Sequence, residues 1–390
     1  SGESVALPDD KGGAILGTYL GPCRAIGLLL DGDEIVPYRL SPRGKEIWEI
    51  RRERLRDSPV LAAVSNGSEF SRVLAESAIP AFSLGSLSSS GEEARLLHSA
   101  MTNPWDPGNE FQQARVSKAY GGINGTIKWA DVMLASEPDN ATGVLVRNYR
   151  NCIENNSDDP IAFSWAEYEY RRRCHFALEL LLAALTTSLT EFEEASIAQI
   201  IANWRDTFES SELLIEIWPR TSEAWESNAN SALASVPEQP FAGNGLPTND
   251  LRRIAPSNQA LAAIAILAAT AKQTRNIRSA GHLDRIPSSP GERAVDIIET
   301  ADAEPFSELV ARLLELTALA HLQTTLRKMG AGQKCSLRFF PDGPLLRPTG
   351  IGMSPGHSND RLTNVLRILA DIGKLRRDEG KFALADGGAR

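Results

Sequence analysis

Residues 359–384 read NDRLTNVLRILADIGKLRRDEGKFAL, and the pattern changes character halfway along. Leu362, Val365, Leu366, Leu369 and Ile372 recur at three- and four-residue intervals, which places them on one face of a helix. Gly373 ends that helix, because a residue without a Cβ accepts the left-handed backbone of a helix C-terminus. Arg376-Arg377-Asp378-Glu379-Gly380 then turns the chain into a strand over Lys381–Leu384.

The start of the chain carries related logic. Gly17–Leu30 (GTYLGPCRAIGLLL) is short and mostly apolar, and Asp31-Gly32-Asp33 is a turn signal. Glu34–Leu40 (EIVPYRL) is strand-like. Ser41-Pro42 opens a helix through Arg43, Trp48 and Arg54, with serine as the cap and proline in the first turn. The wing-like strand leading into YRLSPRGKEIWEI, and the helix, turn and strand of ILADIGKLRRDEGKFAL, each resemble the end of a winged-helix domain. The two do not align as a tandem repeat.

Between the ends the chain reads as helical. Helices fit Ser68–Ile79, stopped by Pro80, and Glu92–Met101 behind a Ser90/Glu93 capping box. They continue over Glu110–Ala119, Thr126–Ala135 and Thr142–Cys152, with Gly121-Gly122-Ile123-Asn124-Gly125 as a break. Ser164–Leu189 is the longest; Ser196–Ser210 and Ser222–Val236 are weaker. Pro237–Asp250 concentrates proline and glycine and reads as a linker or long loop. Ser257–Asn276 and Pro305–Met329 follow, joined through a loop at Gly281–Gly291, and Ala260–Ala271 reads as a buried helix. Gly330–Gly356 is glycine- and proline-rich, with one strand-like run at Ser336–Phe340. The expected fold is mainly α: a helical bundle-like centre flanked by small winged-helix elements, α with a β-hairpin, at both termini. The expected domains are 1–62, 63–330 with a possible sub-boundary at 237–256, and 331–390.

Composition excludes several classes of chemistry. The 390 residues are 42% hydrophobic and 23% charged, ordinary for a globular chain and incompatible with wholesale disorder. No apolar run reaches the roughly 18–20 residues of a membrane span, so no membrane partner is expected. The opening Ser-Gly-Glu-Ser shows no basic-then-apolar leader and no initiator Met, as in a processed or truncated chain. Cys23, Cys152, Cys174 and Cys335 form no Cys-x-x-Cys pair, which signals neither a zinc knuckle nor a disulfide framework. A reduced, cytoplasmic setting is the expectation. The five histidines show no i, i+4 pairing, and Cys174 and His175 point about 100° apart on a helix rather than forming a dyad.

Phosphate-binding signatures are missing too. Gly330-Ala331-Gly332-Gln333-Lys334 follows a helix rather than a strand, and reads as a helix end. Asp158-Asp159 with Glu167 and Glu169 is the sharpest carboxylate cluster, the pattern a Mg²⁺-dependent nuclease would use. On a helix, however, Glu167 and Glu169 diverge by about 200°, and no lysine follows at the Glu-x-Lys position. Arg171, Arg172 and Arg173 beside Tyr168 and Tyr170 could meet phosphates or stacked bases. They equally lie at ion-pair spacing from Glu167 and Glu169, the preferred reading. Trp204, Trp218 and Trp225 read as core or interface anchors, and His321 as a packed polar residue. No catalytic residue, cofactor, metal or small-molecule site is evident.

Charge is unevenly spread. The net charge is −9, and Glu191–Asp250 alone holds eleven acidic residues against Arg205 and Arg220, the same −9. Within it Glu191, Glu193, Glu194, Glu209, Glu212 and Glu216 are candidates for docking a basic partner. Leu251–Arg285 is basic, and so are the two winged-helix-like elements. Candidate DNA contacts are Arg43, Lys45, Arg51, Arg52 and Arg54 in the first, and Arg361, Arg367, Lys374, Arg376, Arg377 and Lys381 in the second. As a whole, the run LRKMG…LRFFPDGPLLRP…SNDRLTNVLRILADIGKLRRDEGKFAL is similar to uncharacterised bacterial proteins encoded beside anti-phage defence genes. That resemblance transfers no functional residue. The expected function is a non-enzymatic scaffold or adaptor within a bacterial multi-protein complex on or near double-stranded DNA, in a defence setting. A stand-alone DNA-binding regulator and a metal-dependent nuclease are the alternatives.

Overall fold

The computed structural model describes residues 20–32, 38–69, 71–82, 91–107, 110–155, 159–241, 245–279, 289–357 and 361–385. The fold is mainly α with small hairpins at both ends, as the sequence leads one to expect. α1 (20–25) leads into the hairpin β1 (Leu29–Asp31)–β2 (Tyr38–Leu40) and four helices: α2 (Pro42–Leu55), α3 (Pro59–Ser65), α4 (Arg72–Phe82) and α5 (Glu92–Thr102). The long α6 (Glu110–Ser136), α7 (Ala141–Asn155) and α8 (Pro160–Phe192) come next. Five short helices follow: α9 (Ile197–Asp206), α10 (Glu212–Ile217), α11 (Thr221–Ala224), α12 (Ala229–Ala234) and α13 (Thr248–Leu251). α14 (Pro256–Ser279), α15 (Pro290–Glu299) and α16 (Phe306–Gly330) lead to the hairpin β3 (Phe339–Asp342)–β4 (Leu345–Pro348). The chain closes with α17 (Arg361–Asp371) and the hairpin β5 (Leu375–Asp378)–β6 (Lys381–Leu384).

Packing divides the chain into two compact units, one of residues 1–144 with 360–390, the other of 145–359. The sequence suggests divisions at 62/63 and 330/331 instead. The difference arises because α5 packs on α2, and α6 packs on β6, so residues 63–144 join the two ends of the chain. Such packing links residues far apart in sequence and leaves no local trace.

In the unit containing both ends, the start of α2 is locked by local chemistry. Ser41 Oγ accepts from Gly44 N at 2.9 Å as the N-cap and donates to the Gly27 carbonyl at 2.6 Å. Gly44 is obligatory here: a Cβ would overlap the Leu28 carbonyl oxygen of the preceding hairpin. At the other end, Gly373 (φ 77°) stops α17, and Lys374 N reaches back to the Leu369 carbonyl at 2.8 Å. Glu379 and Gly380, both at positive φ, form the two-residue turn between β5 and β6. Asp139 pairs with Phe382 through two backbone hydrogen bonds of 2.8 and 3.1 Å, adding a one-residue third strand to that hairpin.

In the other unit, α14 and α8 form the centre. Ala260–Ala271 is buried along its whole length, with Leu261, Ile264 and Leu267 fully enclosed, as expected of a helix apolar on every side. α15 and α16 pack against them, and Trp218, Trp225 and Phe306 make edge-on ring contacts at 5.5–5.9 Å. Trp204 and Trp218 donate their indole N–H groups to Ser188 and Ser235, so these tryptophans are core anchors.

Several local expectations are corrected. Pro80 lies inside α4 rather than ending it; Arg54 and Arg51 donate to the Pro80 and Ala81 carbonyls of that last turn. Gly121 and Gly122 do not break α6, because Tyr120 and Asn124 anchor the helix to the Ala100 and Thr102 carbonyls of α5. α15 begins inside the expected loop, at a Ser289/Glu292 capping box, and β3–β4 is a hairpin where the sequence shows one strand-like run. Ser222–Val236 splits into α11 and α12. Gly91, without a side-chain bond, caps α5; Ser90 lies outside the described residues, as does 33–37 of the predicted strand Glu34–Leu40.

Candidate functional site

α17 and the β5–β6 hairpin present the basic groups at the end of the chain. Leu362, Leu366 and Leu369 turn inward, leaving Asn364 and Arg367 on the exposed face of the helix. Lys374, Arg376, Arg377 and Lys381 are exposed along the hairpin, and Arg361 is exposed at the start of α17. Arg367, Lys374, Arg377 and Lys381 make no ion pair among the described residues. Lys374 instead acts at longer range. Burial lowers the pKa of His98, with Lys374 adding to the shift; burial raises Asp131, and Lys374 opposes it. The result is an exposed cationic element of a helix and a two-stranded hairpin, with leucines buried beneath it.

The basic residues of α2 are placed differently. Arg43 Nη1 donates to Asn103 O at 3.0 Å and to Tyr120 Oη at 3.1 Å, with the Ile26 and Ala100 carbonyls at 3.4 Å. Arg51 Nε donates to Glu93 Oε1 at 2.6 Å, and its Nη1 to the Ala81 carbonyl at 2.8 Å. Arg54 reaches the Pro80 carbonyl at 3.0 Å and lies 3.8 Å from Glu93. Lys45 and Arg52 are exposed. The structure therefore ties Arg43, Arg51 and the exposed Arg54 to neighbouring helices, and leaves Lys45 and Arg52 exposed with no such tie among the described residues.

The candidate acidic residues are exposed on the helical unit. Glu191, Glu193, Glu209, Glu212 and Glu216 face solvent, and Glu194 pairs with Arg347 at 3.0 Å. Exposed apolar side chains also occur in this unit, at Leu319, Leu326 and Met329 along α16.

α8 resolves the carboxylate and arginine clusters. Asp159 caps the helix by accepting from Ile161 N at 2.8 Å; Asp158 lies outside the described residues. Glu167 pairs with Arg171. Glu169, with 3% of its side chain exposed, accepts from Arg172 at 2.8 Å and from Arg173 at 3.0 Å. Among the described residues no group of three or more His, Cys, Asp or Glu side chains is arranged to hold a metal ion. The preferred ion-pair reading of this helix describes its geometry, although two of the three pairs are buried rather than solvated.

One partner of this cluster is invisible in the sequence. Arg172 Nη2 donates to His357 Nδ1 at 3.0 Å across 185 residues, and Phe176 meets the imidazole edge-on at 5.4 Å. The accepting Nδ1 places the ring proton on Nε2, which is buried without a hydrogen-bond partner. Burial first, then Arg172, Arg173, Arg252 and His175, push the His357 pKa down to about 4. His321 is likewise a packed residue, accepting from Arg338 N at 3.1 Å.

No helix among the described residues is long and apolar enough to cross a membrane. No family model, no curated protein and no solved structure matches this chain.

Proposed function

We propose that the chain is a non-enzymatic adaptor of a bacterial multi-protein complex that contacts double-stranded DNA through α17 and the β5–β6 hairpin. The carrying observation is the exposure of Arg367, Lys374, Arg377 and Lys381 on one helix–hairpin element, none of them in an ion pair among the described residues. Phosphate neutralisation requires such groups to be available, and an internal ion pair would compete for them.

The chain order supports a winged-helix reading. α6, the one-residue strand at Asp139, and the first turn of α7 precede α17 and its hairpin within one compact unit. This is the order helix, short strand, helix, helix, wing, with residues 145–359 inserted in sequence before the recognition helix. On this reading Asn364 and Arg367 face the major groove, and Arg376 and Arg377 in the wing meet the flanking backbone. The acidic surface and the exposed Leu319, Leu326 and Met329 of the inserted unit favour protein contacts, which suits an adaptor more than a lone regulator. The defence setting follows from the C-terminal resemblance alone.

Fluorescence anisotropy of a short duplex, titrated with the full chain at several salt concentrations, tests the DNA contact. The expected result is binding whose logarithm falls linearly with log salt, by about 0.9 per phosphate neutralised. A duplex unshifted at low salt overturns it. Recovery from the native host as a lone monomer overturns the adaptor role.

A further inference from the structure

We propose that the helical unit holds a binding site for an uncharged nucleobase-bearing ligand, a nucleoside, in the cavity between α7, α8, α14 and the proline-rich segment after α12. The cavity has a volume of about 300 Å³, the lower end of the range for small-molecule sites. One face of α7 supplies Tyr149 and Arg150, α8 supplies Arg173, α14 supplies Gln273, and the segment supplies Glu238 and Phe241. Each of these residues belongs to the same compact unit.

Two of the lining residues carry buried polar atoms with no hydrogen-bond partner, Tyr149 Oη and Gln273 Oε1. An orphaned buried group costs about 1–3 kcal/mol, so two beside one cavity mark a place where a missing molecule supplies the partners. The orientation of Gln273 is fixed, because its Nε2 donates to the Glu238 carbonyl at 2.7 Å. Its oxygen is therefore the atom left as an unpaired acceptor, and an N–H or O–H from the ligand would satisfy it. The Tyr149 hydroxyl, kept protonated by a pKa that burial raises, offers a donor in return.

Charge and shape narrow the class. Arg150 and Arg173 are matched by Glu154 and Glu238 around the cavity, and Arg173 is further neutralised by Glu169 at 3.0 Å. A lining so balanced does not select an anion. Arg173 stacks its guanidinium over the Tyr149 ring, 4.6 Å from the centroid, and Phe241 adds a second aromatic side chain. A flat π-system with a donor and an acceptor on one edge satisfies both orphaned atoms and these rings; a nucleobase is such a group. A peptide amide has the same two polar groups but no ring for Tyr149 and Phe241 to cover.

Titration calorimetry of the full chain with adenosine, guanosine, cytidine and uridine tests this, with inorganic phosphate as competitor. At least one nucleoside is expected to bind with a Kd below about 1 mM, unaffected by phosphate. Tyr149→Phe removes only the orphaned hydroxyl, so it is expected to weaken binding about tenfold while leaving the free protein as stable or more so. Gln273→Met is the second variant, expected to weaken binding similarly. Absence of binding by all four nucleosides, displacement by phosphate, or unchanged affinity in both variants each overturns the proposal.

Discussion

α2 and the α17–β5–β6 element look alike as sequence and differ as structure. Arg39–Arg56 holds seven basic and three acidic residues; Arg361–Lys381 holds six and three. In α2, Arg43, Arg51 and Arg54 are drawn into carbonyls and a buried carboxylate, where they join neighbouring helices. In the terminal element, Arg367, Lys374, Arg377 and Lys381 stay in solvent. A count of cations measures potential; the partners determine whether a cation fastens the fold or offers itself to another molecule.

The comparison breaks first if the buried pairs prove dispensable. Glu169→Gln keeps the shape of the α8 cluster and removes its negative charge, leaving Arg172 and Arg173 enclosed with 4% and 10% of their side chains exposed. Denaturant unfolding is expected to show a loss of about 4 kcal/mol, since removing one partner strands the others in a low dielectric. Arg51→Ala is the matching test in α2. It leaves Glu93, at 7% exposure, with only the looser Arg54 contact at 3.8 Å and frees the Ala81 carbonyl, with an expected loss of about 3 kcal/mol. A loss under about 0.5 kcal/mol, the range of ordinary surface substitutions, would place Arg51 with the displayed cations instead.

The contrast also explains how much of the molecule is legible in the sequence. α14 is legible directly, because a helix enclosed on all sides shows an unbroken apolar run. The starts of α2 and α9 are legible because serine caps act within three residues, as Ser41 to Gly44 and Ser196 to Gln199 show. α15 carries the same kind of signal at Ser289 and Glu292, but a glycine- and proline-rich run obscures it. The continuity of α6 through Gly121 and Gly122 depends on α5, and the β3–β4 turn at Gly343-Pro344 interrupts a run flanked by further prolines. For the candidate site, the basic residues themselves are legible but their roles are not. Glu93 lies 42 residues from Arg51, and His357 lies 185 from Arg172. No local pattern encodes such pairs.

His357 gives the comparison a pH dependence. Its folded pKa, about 4, lies below the ordinary value near 6.5, so the folded state resists protonation while the unfolded chain accepts a proton. Its contribution is therefore fully present above pH 6.5 and is lost as pH falls toward 4, to a total of about 3 kcal/mol. His357→Gln is expected to flatten that part of the stability profile between pH 4 and 6.5. An unchanged slope would show that burial and the neighbouring cations do not hold the His357 imidazole neutral.

The smallest expected stability effect carries the largest functional one. Arg367→Ala with Arg377→Ala removes two exposed cations that fasten nothing, so unfolding free energy is expected to stay within about 0.5 kcal/mol of the parent. Duplex affinity is expected to fall at least tenfold at low salt, and the slope of log K against log salt to shrink by about 0.9 for each phosphate no longer neutralised. Lys45→Ala with Arg52→Ala serves as the internal control, since these are exposed cations of α2 that make no ion pair among the described residues. Equal losses from both pairs would mean that general surface charge, rather than one helix and its hairpin, engages the duplex. A loss confined to the terminal pair makes display on a recognition element the deciding property.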